Sequence, residues 1–389
     1  MEYISRNIES FVRENLSIFP AVAILGSRQC GKSTLVKMMQ KEDMLYLDLQ
    51  NRDDLAKLSE PTLFFQYNAD KTICLDEVQL TPDIFAILRS EIDRERRPGR
   101  FILLGSASRE LVQRTSESLA GRIGLVSLTP FLISEVKSAK GFSLENYWFR
   151  GGYPDSYDAI NDKASCLWRE NFIRTYLERD IPQLGFQIAT PQLFRLLMMT
   201  AHEQGQLLNS SKLASSMGLS PTTIRHYLDI MEQTYIIRSL PPYFKNTKKR
   251  LVKSPKIYIR DSGLLHQILQ IKSFNDLLGH PIIGNSWEGM VVENICTIAR
   301  TAHCFFYRSA TGEEMDLVLQ YANKLIAIEC KSSTAPSVTE GFWKSIEFLE
   351  PSHTYVVAPV ESAYPIAENV DVCNLNELMD VIIDIEKSM

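Results

Sequence analysis

Residues 26–34 combine two glycines, a lysine and a hydroxyl side chain at a spacing that suits phosphate binding. Their order is Gly-x-x-x-x-Gly-Lys-Ser, between an apolar run at residues 20–25 and a run of helical character at residues 35–39. The glycines let the backbone curl so that consecutive N–H groups point at phosphate oxygens, and the helix dipole adds positive charge. Lys32 would reach the β- and γ-phosphates, and the hydroxyl of Ser33 would bind Mg²⁺. The predicted binding loop for ATP and Mg²⁺ consists of Gly26, Ser27, Arg28, Gln29, Cys30, Gly31, Lys32, Ser33 and Thr34.

Two carboxylates follow a second apolar run. Residues 72–75 read Thr-Ile-Cys-Leu, which is typical of a buried strand, and they lead directly into Asp76 and Glu77. Asp76 is suited to hold the Mg²⁺ shell, and Glu77 to orient and polarise the attacking water. A solvated Asp-Glu loop is the alternative. Because a glutamate at this position favours hydrolysis over binding alone, we predict an ATPase.

Two further polar residues are candidates for the same reaction. Residues 101–104 predict a third strand, which runs into Gly105 and Ser106. The Ser106 hydroxyl would contact the γ-phosphate or the water, unless these residues form a plain turn. Arg122 would neutralise developing phosphoryl charge, in cis or from a neighbouring subunit, although a surface arginine has the same spacing. The predicted catalytic residues are Lys32, Glu77, Ser106 and Arg122.

A second set of residues suited to phosphate chemistry lies near the C-terminal end. Residues 315–319 and 325–331 predict neighbouring strands, the first carrying Asp316 and the second ending in Glu329-Cys-Lys331. Side chains two apart in a strand point to one face, so Glu329 and Lys331 would line the face where Asp316 can meet them. Two carboxylates would bind Mg²⁺ while the lysine positions or deprotonates a water for phosphodiester attack.

An amphipathic helix is predicted before these strands. It covers residues 285–295 and carries Glu288 as the best helical partner, because Glu293 lies five residues later and faces elsewhere. A helical Glu with a strand Asp and Glu-x-Lys resembles the restriction-endonuclease-like core, whose signature is PD-(D/E)-x-K. The resemblance implies a second Mg²⁺ site, and a fold retained without cleavage is the alternative. Its predicted residues are Glu288, Asp316 and Glu329, with Lys331.

The middle of the chain is predicted to be helical and to contain a winged helix. Residues 141–200 alternate charged and apolar side chains at helical spacing, which predicts a connector. Residues 213–228 read as a helix, a tight turn and a second helix capped by Ser220. Residues 241–260 hold seven Lys or Arg and no acid, which predicts a basic wing. The alternative to DNA binding is a packing module. The predicted phosphate contacts are Lys245, Lys248, Lys249 and Arg250.

The segments GSRQCGKSTL, ICLDEVQ, LLGSAS and SLAGRI occur in that order. They resemble the AAA+-type ATPases of bacteria and archaea that carry a C-terminal region of unknown function. The later segments PFLISE, RGGYPDS, TYLERDI and KIYIRDSGLL extend the resemblance over nearly the whole chain. The resemblance implies that Arg122 senses the nucleotide. Cys30 replaces the small aliphatic residue more usual in such loops, which should leave a cradle of backbone amides intact.

The length and composition predict an α/β protein of several domains. A chain of 389 residues suggests two or three domains, and we predict three: an AAA+-type P-loop sheet at residues 1–140, a connector with a winged helix at 141–270, and a restriction-endonuclease-like domain at 280–389. The charged fraction of 23% is typical of a globular protein, and the net charge of -5 gives no whole-molecule reason for nucleic-acid binding.

The cysteines and the apolar runs indicate the cellular compartment. Seven scattered cysteines without a framework predict free thiols in a reducing environment. We see neither a signal peptide nor an apolar run of about 20 residues, the length that spans a bilayer. The sequence therefore predicts a cytoplasmic protein that does not act at a membrane.

These patterns together predict one main function and one alternative. The main prediction is Mg²⁺-dependent ATP hydrolysis that controls the winged-helix and nuclease-like module, with DNA as its candidate target. The alternative is a nucleotide-dependent switch or scaffold that binds a protein partner and whose nuclease-like domain is inactive. An arginine acting in trans would require an oligomer, so the oligomeric state stays open.

Overall fold

The structure is a computed structural model that describes residues 3–40, 43–106, 119–183, 186, 188–244, 252–322 and 324–388. The chain forms two compact units, Met1–Phe131 with Gln233–Tyr235, and Leu132–Glu232 with Ile236–Met389. Both units mix helices with sheets, as the predicted α/β class requires. The finer division into three domains stays a prediction. Among the described residues, no helix has the length and apolar character to cross a membrane.

The first unit is built on a parallel sheet of five strands in the order β2-β3-β4-β1-β5. Alternate residues of β1 enter two different apolar cores, one on each face of the sheet. Burial on both faces explains why these strands are continuous apolar runs. The strands are β1 (Ala21–Gly26), β2 (Met44–Asp48), β3 (Thr72–Asp76), β4 (Phe101–Ser106) and β5 (Ile123–Leu128).

Helices cover this sheet and connect its parallel strands. They are α1 (Glu9–Ile18), α2 (Lys32–Met39), α3 (Arg52–Lys57), α4 (Pro61–Tyr67) and α5 (Ile84–Arg94), with a 3₁₀ turn at Val78–Leu80. Because the strands are parallel, their carboxyl ends share one edge of the sheet. The residues that follow β1 and β3, and the last residue of β4, therefore lie at that edge.

The second unit begins with helices, as predicted for the connector. They are α6 (Ile133–Val136), α7 (Leu144–Arg150), α8 (Pro154–Tyr157), α9 (Asp162–Thr175), α10 (Ile181–Gln183) and α11 (Thr190–His202), with a π-helical turn at Tyr176–Asp180. The apolar side chains of α9, α11 and the following helices form a shared buried core. This core accounts for the helical spacing of apolar residues in the sequence.

A helix–turn–helix and a small antiparallel sheet follow. The turn has Gly218 in the left-handed region at φ 66°, and the Ser220 hydroxyl accepts a hydrogen bond from the N–H of Thr223 at 3.0 Å. The sheet order is β6-β8-β7. This order of elements suits the winged helix, which stays a prediction. The elements are β6 (Gln206–Leu207), α12 (Ser210–Met217), α13 (Pro221–Gln233), β7 (Ile237–Leu240) and β8 (Lys256–Ile259).

The chain ends in a mixed sheet of six strands with the order β13-β14-β12-β11-β10-β9. Strands β9, β10 and β11 are antiparallel, and β12 and β14 continue the sheet in parallel with β11. Its strands are β9 (His303–Arg308), β10 (Glu314–Gln320), β11 (Leu325–Cys330), β12 (His353–Val357), β13 (Tyr364–Ala367) and β14 (Val370–Cys373). The helices are α14 (Ser262–Ile268), α15 (Phe274–Leu278), α16 (Ile283–Ile298), α17 (Glu340–Leu349) and α18 (Leu375–Ser388).

Candidate functional site

The glycine-rich loop joins the end of β1 to the start of α2. Gly26 has no room for a side chain, because a Cβ there would lie 2.1 Å from the carbonyl oxygen of Leu128. Gly31 adopts φ 99°, a left-handed conformation that favours glycine. Two of the motif's positions therefore require glycine for backbone reasons, and α2 begins directly afterwards at Lys32.

Lys32 turns its ammonium group back into the loop. Its Nζ donates to the carbonyl oxygens of Ser27 at 2.8 Å and Gly26 at 3.1 Å, and the residue is only 6% exposed. The hydroxyl of Ser27 is buried and finds no hydrogen-bond partner among the residues that the structure describes. An ammonium and an unpaired hydroxyl at a helix N-terminus are a donor set that fits phosphate oxygens.

Ser33 and Asp76 meet although 43 positions separate them in the chain. The Ser33 hydroxyl donates to Oδ2 of Asp76 at 2.6 Å, and Oδ1 of Asp76 accepts from the N–H of Glu77 at 2.9 Å. The Asp76 side chain lies at the carboxyl edge of the sheet and is 5% exposed. A hydroxyl and a carboxylate in contact are oxygen ligands of the kind Mg²⁺ prefers, so the pair fits the predicted metal.

Tyr46 is a member of this cluster that the sequence prediction missed. Its hydroxyl donates to Oδ2 of Asp76, the atom that also accepts from Ser33. Burial and the neighbouring carboxylate raise the pKa of Tyr46, so the phenol stays protonated and can only donate to Asp76. The strand pairing of β2 with β3 brings Tyr46 here, and no spacing rule in the sequence identifies that pairing.

Glu77 stands in a strained backbone conformation. Its φ is 57°, in the left-handed region that a residue with a side chain seldom adopts. The side-chain amide of Gln79 donates to Oε2 of Glu77 and orients the carboxylate. Such strain costs on the order of 1–3 kcal/mol and is concentrated at functional sites. Glu77 therefore lies beside Asp76 in a geometry that suits a positioned general base.

Arg6 braces the loop from outside the motif, and the sequence prediction missed it. Its guanidinium donates to the carbonyl oxygens of Cys30 at 3.0 Å, Thr129 at 2.7 Å and Pro130 at 3.2 Å. It is only 5% exposed. Cys30 itself is fully buried, and the group that accepts from Arg6 is its carbonyl oxygen. This contact is in line with a cradle built from backbone groups. Around it, Gln29 and Thr34 are exposed and Arg28 is half-buried.

Ser106 is only partly described. It is the last residue of β4 and pairs in register with Gly26, so its backbone lies at the same edge as the loop. The side chain lies outside the described residues, and its predicted contact with the γ-phosphate stays a prediction. Strand β4 lies between β1 and β3, which places the backbone of Ser106 between the loop and the strand of Asp76.

Arg122 is not at this site of its own chain, which corrects the predicted contact in cis. Its carbonyl accepts from the N–H of Ala21, the first residue of β1, at 3.1 Å. The loop follows the other end of β1, about 17 Å away at 3.3 Å per residue. The guanidinium pairs instead with Asp93, at 2.6 and 3.0 Å. Arg122 lies directly before β5, and the loop lies directly after β1. Because β1 and β5 are parallel, Arg122 and the loop lie at opposite edges of the sheet. A role in a neighbouring subunit's site stays a prediction.

Arg122→Ala is therefore expected to leave ATP turnover within about twofold of wild type, because an exposed ion pair contributes little. The measurement is phosphate release at several protein concentrations. Asp93→Ala removes the same ion pair from the other side and is the matched control. A loss of about tenfold or more in Arg122→Ala alone would contradict this expectation and indicate that the arginine serves a neighbouring subunit.

The second predicted set of residues is brought together on the C-terminal sheet. Strands β10 and β11 pair with Leu317 opposite Ile328, which places Asp316 next to the end of β11. Oδ2 of Asp316 accepts from the N–H of Cys330 at 2.9 Å. The Lys331 ammonium lies 2.7 Å from Oε1 of Glu329, so both residues line one face as expected from their spacing.

A lysine from β8 lies among these carboxylates. The Lys256 ammonium is 2.6 Å from Glu314, 2.8 Å from Glu288 and 3.2 Å from Asp316, and the residue is 2% exposed. The Tyr258 hydroxyl donates to Oε1 of Glu288 at 2.7 Å, and the Lys256 ammonium contacts the same oxygen. Neither Lys256 nor Glu314 was predicted. We name the four carboxylates Glu288, Glu314, Asp316 and Glu329 the acidic centre.

The electrostatics of the acidic centre follow from its burial. Burial and the charge of Asp316 raise the pKa of both Glu288 and Glu329. Burial alone would lower the pKa of Lys256, but the carboxylates around it raise that pKa well above its usual value. The lysine is therefore protonated at neutral pH. It provides the positive charge that burial of these carboxylates requires.

The predicted Mg²⁺ arrangement at Glu288, Asp316 and Glu329 does not fit the structure as it stands. Across the described part of the chain, no group of three or more His, Cys, Asp or Glu side chains has the arrangement of a metal site. The physical reason is the ammonium group, which lies between Glu288 and Asp316.

The basic stretch at residues 241–260 is partly used inside the protein. Besides Lys256, it supplies Arg260, which lies 2.6 Å from Glu293, and Arg238 of β7 binds the same carboxylate at 2.8 Å. Glu293 thus faces away from the acidic centre, as its spacing from Glu288 predicts. These charges are not available to DNA. The predicted phosphate contacts Lys245, Lys248, Lys249 and Arg250 lie outside the described residues.

Models of protein families match three segments of the chain. Residues 19–137 match the model described as an AAA domain. Residues 141–275 and 283–378 match two models described as domains of unknown function, DUF8612 and DUF4143. The loop, Asp76 and Glu77 all fall inside the AAA match, and the acidic centre falls inside the DUF4143 match.

Similar proteins cover nearly all of the chain. Uncharacterised proteins of Mycobacterium tuberculosis and Mycobacterium bovis are each 36% identical over 366 residues, which is 94% of this chain and 82% of theirs. Among solved structures, a Walker-type ATPase of Pyrococcus abyssi has a TM-score of 0.50 at 14% identity, over 69% of this chain and 96% of its own. That likeness concerns the fold.

Proposed function

The chain belongs to the same family as these two mycobacterial proteins, and it carries an AAA-type ATPase domain. We propose that it hydrolyses ATP with Mg²⁺ and that the nucleotide state controls its second unit. The observation that carries the proposal is the contact of Ser33 with Asp76 at 2.6 Å, beside Lys32 and Glu77. It joins the loop to the carboxylates at one edge of the sheet.

Each residue of the site has a proposed role in hydrolysis. The loop amides and Lys32 bind the phosphates and stabilise the negative charge that develops on the leaving oxygen. Ser33 and Asp76 would hold Mg²⁺, which when bound neutralises phosphate charge. Glu77 orients a water toward the γ-phosphorus and accepts its proton, giving ADP and phosphate. Tyr46 positions Asp76, and Gln79 positions Glu77.

Two measurements test this proposal together. We expect phosphate release that requires Mg²⁺ and stops with EDTA, because the charge on the phosphates is otherwise unshielded. We also expect ATP to change hydrogen–deuterium exchange in the second unit of the Glu77→Gln variant, which is designed to hold ATP without hydrolysing it. Absence of Mg²⁺-dependent phosphate release contradicts hydrolysis. Unchanged exchange in the second unit, with nucleotide bound, contradicts control of that unit.

A specific observation favours the alternative of a switch or scaffold that binds a protein partner. Lys256 lies within the acidic centre, where a nuclease would hold its metal. Incubation with Mg²⁺ and DNA or RNA, against an Asp316→Ala/Lys331→Ala control, separates the two candidate functions. Cleavage that the control lacks would support the nuclease. DNA affinity that falls steeply with salt would support DNA as the target, through the predicted phosphate contacts.

A further inference from the structure

Three carboxylates from two structural elements surround the Lys256 ammonium. Glu288 comes from α16, and Glu314 and Asp316 come from β10; their oxygens lie 2.6–3.2 Å from Nζ. Of the three N–H donors of an ammonium group, the structure shows two in hydrogen bonds, to Glu288 and Asp316, and Glu314 lies within ion-pair distance. Convergent carboxylates around one buried cation are also the pattern of a divalent-metal site.

The charges of the acidic centre match a divalent cation once Lys256 is set aside. Its four carboxylates face two other cations, Lys331 at 2.7 Å from Glu329 and Arg308 at 3.3 Å from Glu314. Without Lys256, Glu288 and Asp316 would have no salt-bridge partner among the described residues, and in their ionised form these two carboxylates carry the charge that one divalent ion neutralises. In addition, Oε2 of Glu329 is buried and has no hydrogen-bond partner among the described residues, although the residue is only 8% exposed.

We propose that the ammonium of Lys256 occupies the place of a divalent cation in the acidic centre and thereby keeps the centre from binding one. The contact is autoinhibitory and built into the fold of the second unit. Lys256 is the first residue of β8, the middle strand of the small sheet, where it pairs with Leu207 of β6 and Leu240 of β7. This pairing on both sides fixes the backbone of Lys256, so metal can enter when the lysine side chain or β8 moves away, or when the lysine is removed.

Binding of Mn²⁺ in the absence of nucleotide tests this proposal. In Lys256→Ala we expect one additional Mn²⁺ ion, bound at least about tenfold more tightly than by wild type, because a buried positive charge has been replaced by space. The readouts are the electron paramagnetic resonance signal of free Mn²⁺ and isothermal titration calorimetry. Lys253→Ala is the matched control, since Lys253 is an exposed lysine three residues earlier. The double variant Lys256→Ala/Asp316→Asn should lose the added ion.

Two results would overturn the proposal. The first is a Lys256→Ala protein that melts cooperatively, keeps its circular dichroism spectrum and gains no Mn²⁺ site. The second needs no lysine variant. It is a wild-type protein that binds Mn²⁺ together with an Asp316→Asn variant that does not, because the metal would then already occupy the place that we assign to the lysine. If Lys256→Ala does not fold, this second comparison still decides. The titrations contain no ATP, so their outcome is independent of the proposed ATPase.

Discussion

Lys32→Ala is expected to lower ATP turnover by about 100-fold or more and to weaken nucleotide binding, because the variant removes a positive charge directed at the transferred phosphoryl group. Lys32 is 6% exposed and its ammonium is held by the carbonyls of Ser27 and Gly26, so the charge is positioned before phosphate binds. Preorganised charge in a buried site acts more strongly than the same charge in water.

The measurements for Lys32→Ala are steady-state phosphate release and equilibrium binding of a fluorescent ATP analogue. Lys57→Ala serves as the control, because Lys57 is an exposed lysine of the same unit that pairs with the neighbouring Asp54. We expect that variant to match wild type in both assays. Turnover of Lys32→Ala at the wild-type rate would contradict the assignment of the loop as the ATP site.

Glu77→Gln is expected to keep nucleotide affinity and to lower turnover by about 100-fold or more, because an amide cannot accept the proton of the attacking water. The strained φ of 57° and the hydrogen bond from Gln79 hold this side chain next to Asp76. Since glutamine has nearly the same shape, the fold should not change. Binding and hydrolysis are thereby separated, which a loss of the loop lysine cannot achieve.

Single-turnover hydrolysis and nucleotide binding test the glutamate directly. Glu60→Gln makes the same chemical change at an exposed position of the same unit and should behave as wild type. A Glu77→Gln protein that hydrolyses ATP at the wild-type rate would show that another group activates the water. A variant that loses binding as well would assign Glu77 to the Mg²⁺ shell rather than to proton transfer.

The loop is the part of the site that is most fully predictable from sequence. Gly31 is required by its own backbone, which has a φ of 99°, and Gly26 by the close approach of the Leu128 carbonyl from the neighbouring strand β5. Asp76 and Glu77 follow a run that is typical of a buried strand. Because parallel strands end at a common edge, their meeting with Ser33 follows from strand direction alone.

The position of Arg122 in the sheet could not be predicted from the sequence. Its place after Gly121 and its resemblance to a nucleotide-sensing arginine say nothing about which end of a strand it occupies. The strand Ile123–Leu128 begins directly after it and runs parallel to β1, so Arg122 lies at the edge opposite the loop. Tyr46 and Arg6 were missed for a related reason, because their contacts depend on strand pairing and chain path.

In the acidic centre, too, one part follows from the sequence and another only from the tertiary structure. Spacing alone places Glu329 and Lys331 on one face, because alternation along a strand is a local property. Lys256 reaches Asp316 across 60 positions of sequence, and in the sequence it looked like one more charge of a basic wing. Its ammonium lies among the carboxylates only because the small sheet packs against α16 and β10.

The sequence by itself thus determined the phosphate-binding loop, the carboxylates that accompany it and the α/β class, all of which follow from backbone geometry over a few residues or from strand direction. The tertiary structure alone decided that Arg6 supports the loop and Tyr46 positions Asp76, that Arg122 lies away from the loop, and that Lys256 lies within the acidic centre. These contacts join distant segments. Their partners are selected by packing and by the neutralisation of buried charge, neither of which leaves a periodic mark in the chain.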